Sequence, residues 1–147
     1  MIYFDSNYIL KCYLNEPEAH KVRELAARTV VKYSSLWGKS EFIAGIKRQT
    51  REKKLTVRHE KTIFSLFDED ERKGVWKWYS MDEPFMQEFK EAMRGIPSSV
   101  FLRTGDALHL FTARYHGFKE IYSHDRHVHA GAAHFGLKAL DVLGPLA

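Results

Sequence analysis

Cysteine is almost missing from this chain: Cys12 is the only one in 147 residues. A single thiol makes no internal disulfide and no cysteine-built zinc site. Long apolar runs are missing as well, since none approaches the roughly 20 residues that span a bilayer. No membrane partner is therefore expected. The opening residues Met1-Ile2-Tyr3-Phe4 lack the basic start and apolar stretch of a signal peptide. No internal repeat, low-complexity segment or evident linker divides the chain. Together these absences lead to the expectation of a single domain over residues 1–147 in a reducing, cytoplasmic setting.

What is present is ordinary in bulk and unusual in placement. Hydrophobic residues make up 44% and charged residues 29%, as in a globular domain. At this size folding buries roughly 68–70% of the unfolded surface, enough for a real core. The net charge is +4 and the pI about 9.1. A basic balance points to a polyanionic partner.

Hydrophobic patterning and breakers predict strands over residues 1–5, 29–33, 75–79, 121–123 and 137–142. Helices are expected over 6–14, 17–28, 36–53, 57–72, 83–94, 104–116 and 127–135, with Ser6 as the cap of the first. Strands separated by helices imply an α/β fold. The expected form is a three-layer α/β/α sandwich with a mostly parallel sheet of about five strands.

Four acids stand where a strand gives way to a helix or a helix begins. Asp5 closes the first apolar run, and Asp125 follows Ile121-Tyr122-Ser123. Glu41 sits early in the helix that opens after Ser34-Ser35, and Asp106 in the first turn of the helix that opens at Thr104. In an alternating fold these places share one edge of the sheet. Clustered carboxylates repel by roughly 4 kcal/mol per close pair at an effective dielectric of about 20. A divalent cation with oxygen ligands, Mg²⁺ or Mn²⁺, resolves that repulsion.

Each acid also has a plainer reading. Asp5 suits a helix cap, Glu41 a solvated helix surface, Asp106 the positive end of a helix dipole, and Asp125 a turn. The order Asp5-Ser6-Asn7 bears on phosphoryl transfer too. In phosphatases with an Asp-x-Asp signature the second Asp is the general acid, and Asn7 stands there instead.

Other residues carry weaker signals. Lys47, Arg48, Arg51 and their neighbours form the densest basic stretch, suited to a solvated helix end or to phosphate contacts. His124, His127, His129 and His134 crowd one segment without a standard zinc spacing. His109, inside an apolar helix, reads as a hydrogen-bonded core residue. Trp76, Trp78 and Tyr79 suit the core of a strand, or base stacking.

Order and context together resemble the PIN-domain ribonucleases, and within them the VapC-type toxins of toxin–antitoxin pairs. The carriers are Ile2-Tyr3-Phe4-Asp5-Ser6-Asn7, Glu41, Asp106-Ala107-Leu108-His109-Leu110 and Ser123-His124-Asp125. The resemblance implies an endoribonuclease that hydrolyses RNA with Mg²⁺ or Mn²⁺ held by Asp5, Glu41, Asp106 and Asp125. Ser6, Asn7 and Ser123 would support the site; from their own basic or ionisable character, Lys47, Arg48, Arg51, His124 and Arg126 are expected to contact RNA. It also implies a cognate antitoxin and a homodimer. Relatives with a further acid after the fourth one differ here, where Arg126 and His127 follow. Either Glu41 or Asp125 would position the attacking water; the sequence leaves that choice open. The competing reading is a non-catalytic PIN-like binding module with an idle acidic pocket.

Overall fold

The computed structural model describes residues 1–146. Five short strands alternate with seven helices in the predicted order. The strands are β1 (Ile2–Tyr3), β2 (Lys32–Ser35), β3 (Trp76–Tyr79), β4 (Glu120–Tyr122) and β5 (Lys138–Leu140). The helices are α1 (Ser6–Tyr13), α2 (Ala19–Ala27), α3 (Leu36–Arg51), α4 (Val57–Arg72), α5 (Glu83–Arg94), α6 (Thr104–Tyr115) and α7 (Arg126–Gly131), the last continued by a 3-10 turn over Ala132–Phe135. No described helix is long and apolar enough to cross a membrane.

All strand pairs are parallel, but the expected single sheet of five strands does not form. The main sheet has three strands in the order β1-β2-β3, and β4 pairs with β5 alone. One isolated bridge, Phe4 to Tyr122, joins the two, reinforced by the Asp5 amide donating to the Tyr122 carbonyl at 3.1 Å.

Alternation along the strands sends side chains to two faces. Ile2, Phe4 and Trp76 pack with α1 to α4 through Tyr8, Val22, Phe42, Ile46 and Phe67. Tyr3 and Ile121 pack with α5 to α7 through Phe85, Leu110, Phe111 and Val128. Helices thus cover both faces, which gives the expected three layers. The tryptophans of β3 belong to the first core, with Trp76 and Trp78 rings stacked 5.4 Å apart, and do not form an open stacking platform.

Local boundaries differ in instructive places. The second strand was expected at 29–33 from its β-branched residues, yet it forms at Lys32–Ser35, where Lys32 to Ser35 pair in register with Trp76 to Tyr79. Val30 falls outside it and is exposed. Asp5, not Ser6, caps α1: its side chain accepts from the Tyr8 amide. The next helix starts at Ala19 instead of Pro17.

Candidate active site

Three of the four acids are delivered by strand ends. Asp5 follows β1, and Asp125 lies three residues after β4. Glu41 stands in the second turn of α3, which starts directly from β2. Parallel pairing brings these ends to one edge. Asp106 arrives differently, in the first turn of α6. That helix comes very near α3 at Gly105, where a side chain would meet Trp37 Nε1 at 3.0 Å and Glu41 Oε2 at 3.1 Å. A side chain there would require Trp37 or Glu41 to give by a few tenths of an ångström. Asp5, Glu41, Asp106 and Asp125 consequently line one cavity of about 210 Å³, together with Ser6, Asn7, Arg103 and His109.

Asp5 is buried, and burial pushes its carboxyl above the ordinary carboxylate range. The charge of His109, the Ser123 hydroxyl and the Tyr8 amide pull it back part of the way, and Glu41 pushes it further up. Ser123 also accepts from the Asp125 amide at 3.0 Å, so it braces the turn that carries the fourth acid.

Glu41 is held by His109, whose Nε2 lies 2.8 Å from Oε1. Nδ1 of the same ring lies 3.1 Å from the Tyr3 hydroxyl. A carboxylate only accepts, so Nε2 carries the proton. His109 is thus the hydrogen-bonded core residue the sequence suggested. Its partner, 68 positions earlier in the chain, could not be read there.

Asp106 and Asp125 share a residue that sequence reasoning missed. Arg103 donates to Asp106 from Nε at 2.9 Å, from Nη2 at 3.2 Å and from its own amide at 3.2 Å. Its Nη2 also reaches Asp125. The two carboxylates keep the guanidinium firmly protonated, above its already high ordinary value. Asp125 is partly buried, which opposes its charge. The His127 amide and Arg103 outweigh that and hold its carboxyl below the usual range. The signal available in the sequence was the Arg103–Asp106 spacing of three, a normal helix-surface pair.

The donor set, four carboxylates and no thiolate, fits a hard divalent cation. The present geometry does not yet make a coordination shell: among the described residues no three of His, Cys, Asp and Glu converge to hold an ion. Arg103 supplies the positive charge within the cluster.

The expected RNA contacts fall on two sides of this cavity. Lys47, Arg48 and Arg51 line a neighbouring cavity of about 520 Å³ between α1 and α3. His124 and Arg126 line another of about 270 Å³ on the opposite side. Lys47 is already paired with Glu60 at 2.6 Å, and His124 with Asp141. Among the described residues Arg48, Arg51 and Arg126 have no acidic partner within ion-pair distance.

The PIN domain family model matches residues 2–133. No curated protein sequence matches the chain. Among solved structures it is similar to FitAcB from Neisseria gonorrhoeae, at 15% identity and a TM-score of 0.71, over 95% of this chain and 96% of that one. Identity that low speaks for a shared fold alone.

Proposed function

Since the chain belongs to the PIN-domain family, whose members are typically nucleases, we propose that it is a Mg²⁺- or Mn²⁺-dependent endoribonuclease. The observation that carries this reading is the gathering of Asp5, Glu41, Asp106 and Asp125 around one cavity in a protein of net charge +4. A basic molecule concentrates acids there only at a cost, and a bound cation with a polyanionic substrate accounts for both signs.

A divalent cation held by Asp5, Asp106 and the remaining acids would polarise a phosphate oxygen and make water a better nucleophile. The chain's own residues do the rest. His109 fixes Glu41 through Oε1 and leaves Oε2 beside Gly105 at the cavity wall. Glu41 is therefore the better placed of the two candidate bases to orient a water and take its proton. Water oxygen bonds to phosphorus as the ester bond to the departing ribose oxygen breaks. Asp125 steadies the site from the α7 side through Ser123 and the His127 amide. Ser6 and Asn7, on the cavity wall, face the phosphate. Lys47, Arg48, Arg51, His124 and Arg126 flank the path of the strand.

By its resemblance to VapC-type toxins, the protein would be the toxin of a toxin–antitoxin pair in the cytoplasm, silenced by a cognate antitoxin. Exposed Leu66 on α4 and Met86 on α5 suit burial in a homodimer.

The Arg103 clasp favours one rival, an idle pocket that binds protein or RNA without cleaving. The deciding assay is cleavage of single-stranded RNA with Mg²⁺ or Mn²⁺, against EDTA and the Asp106→Asn protein. Cation-dependent cleavage lost in Asp106→Asn is the expected result. Tight Mn²⁺ binding without cleavage of any RNA would favour the rival.

A further inference from the structure

Three cavities run into one another across the acids. The acidic one shares Ser6, Asn7 and Glu41 with the cavity between α1 and α3. At its other end it shares Arg103 and Asp125 with the cavity bounded by His124, Arg126 and His127. The trough is thus basic, then acidic, then basic. An electrostatic path of that form suits a phosphate backbone running through the site in both directions.

The two arms differ in chemistry. The α1–α3 arm offers cations over aliphatic walls, Leu10 and Ala44. It has no aromatic side chain. At the α7 arm stands Phe101, 62% exposed, with its ring centroid 4.4 Å from that of His127 and the planes 47° apart. A lone exposed Phe is normal on a protein surface. This one stands two residues before Arg103, against a histidine that itself lines the cationic cavity. Arg126 beside it lacks an acidic partner among the described residues. Aromatic faces next to a cationic groove are how proteins hold unpaired bases without reading their sequence.

We propose that Phe101 and His127 form a nucleobase-stacking subsite for the nucleotide that flanks the cleaved bond on the α7 side, with Arg126 taking that nucleotide's phosphate. The proposal rests on the ribonuclease reading and adds an asymmetry to it. Phosphates alone anchor the strand on the α1–α3 side, and a base is gripped on the α7 side. The ligand class is single-stranded RNA, because a base inside a duplex is already stacked on both faces. Phe101 buries little of itself, so its removal leaves the fold intact.

The test is an abasic scan. A labelled single-stranded RNA is prepared in versions that each lack one base, at successive positions. Binding to the wild-type, Phe101→Ala and Phe101→Trp proteins is followed by fluorescence anisotropy in EDTA. For the wild-type protein one position should be costly, by about five- to 150-fold. Phe101→Ala should weaken the intact RNA to a similar degree and become indifferent to that position. Phe101→Trp should keep both affinity and sensitivity. A flat scan with the wild-type protein overturns the subsite, and so does a Phe101→Ala protein that keeps the sensitivity. A Phe101→Ala loss with a flat scan would point to a protein ligand at Phe101 and also overturns it. Failure of the wild-type protein to bind in EDTA overturns it too, since stacking needs no cation. The ribonuclease reading is judged separately, by cleavage of the same intact RNA in Mn²⁺: cleavage with a flat scan removes the subsite and leaves the nuclease.

Discussion

Arg103 grips Asp106 with two nitrogens on opposite carboxylate oxygens, Nε at 2.9 Å and Nη2 at 3.2 Å. The guanidinium also reaches Asp125, so one side chain bridges two of the four acids. Its side chain is 56% exposed and belongs to the residue just before α6, so it can swing away without disturbing the core. If the proposed function is right, a divalent cation and this guanidinium would compete for the same carboxylates. Arg103→Ala should therefore bind Mn²⁺ about threefold to tenfold more tightly, and melt at a lower temperature in EDTA. Calorimetric titration and thermal melting read the two effects. Weaker Mn²⁺ binding by the variant would show that Arg103 orders the ligands and does not compete with the cation.

The four acids should separate by stability even where they agree in activity. Asp5→Asn, Glu41→Gln and Asp106→Asn should each lose RNA cleavage by about a hundredfold or more. Asp125→Asn should lose less, since Arg126 and His127 follow it where acid-rich relatives carry a further acid. In metal-free buffer at neutral pH, Asp5→Asn should melt higher, because burial makes the Asp5 charge costly. Asp106→Asn should melt lower, because it strands Arg103 and removes the bond to the Arg103 amide. An Asp5→Asn protein less stable than wild type would show that its charge is already compensated without a metal.

Gly38 offers a test of how His109 is held. A side chain there would stand 2.6 Å from Ser34 Oγ and 2.8 Å from His109 Cε1, both buried. Gly38→Ala should cost about 1–3 kcal/mol by overpacking and displace His109 from Glu41. Urea denaturation measures the first effect, and cleavage with Asp125→Asn as the reference measures the second. Full activity in Gly38→Ala would mean that the His109–Glu41 contact does not position the base.

Acid should weaken the fold through His116. Its ring stacks on Tyr79 with centroids 3.5 Å apart and planes 11° from parallel, and Nε2 has no partner. Burial lowers its pKa below the ordinary imidazole value. The unfolded chain then takes up the proton first, so stability falls as pH drops past about 6.5 toward the lowered folded value. His116→Phe keeps a ring on Tyr79 and removes the titration. Its melting temperature should vary less between neutral pH and pH 5 than that of the wild-type protein. Equal slopes for the two would place the acid sensitivity elsewhere.

Much of this was legible in the sequence because acids at strand ends and helix starts are local features with a shared geometric outcome. The alternation of strands and helices followed from patterning over many residues, and so did the three layers. What escaped depended on partners far along the chain. Thr29-Val30-Val31 has the residue types of a strand, yet pairing with Trp76 to Tyr79 moved β2 onward and left Val30 in solvent. Here register with a neighbour overrode intrinsic preference. Arg103 was not singled out in the sequence, because Asp125, which it reaches, is 22 residues away. The expected five-stranded sheet came apart between β1 and β4, since strands of two and three residues leave little length for pairing.

That division between the sheets falls across the carboxylate cluster. Asp5 and Glu41 belong to the first half of the chain, and Asp106 and Asp125 to the second; Phe4, at the single bridge, immediately precedes Asp5. A nascent chain that has folded its first three strands holds only two of the four acids. The set is completed only after Asp125 has left the ribosome and β4 has docked beside β1. Until then the cavity lacks the Asp106 and Asp125 carboxylates that line it in the folded protein.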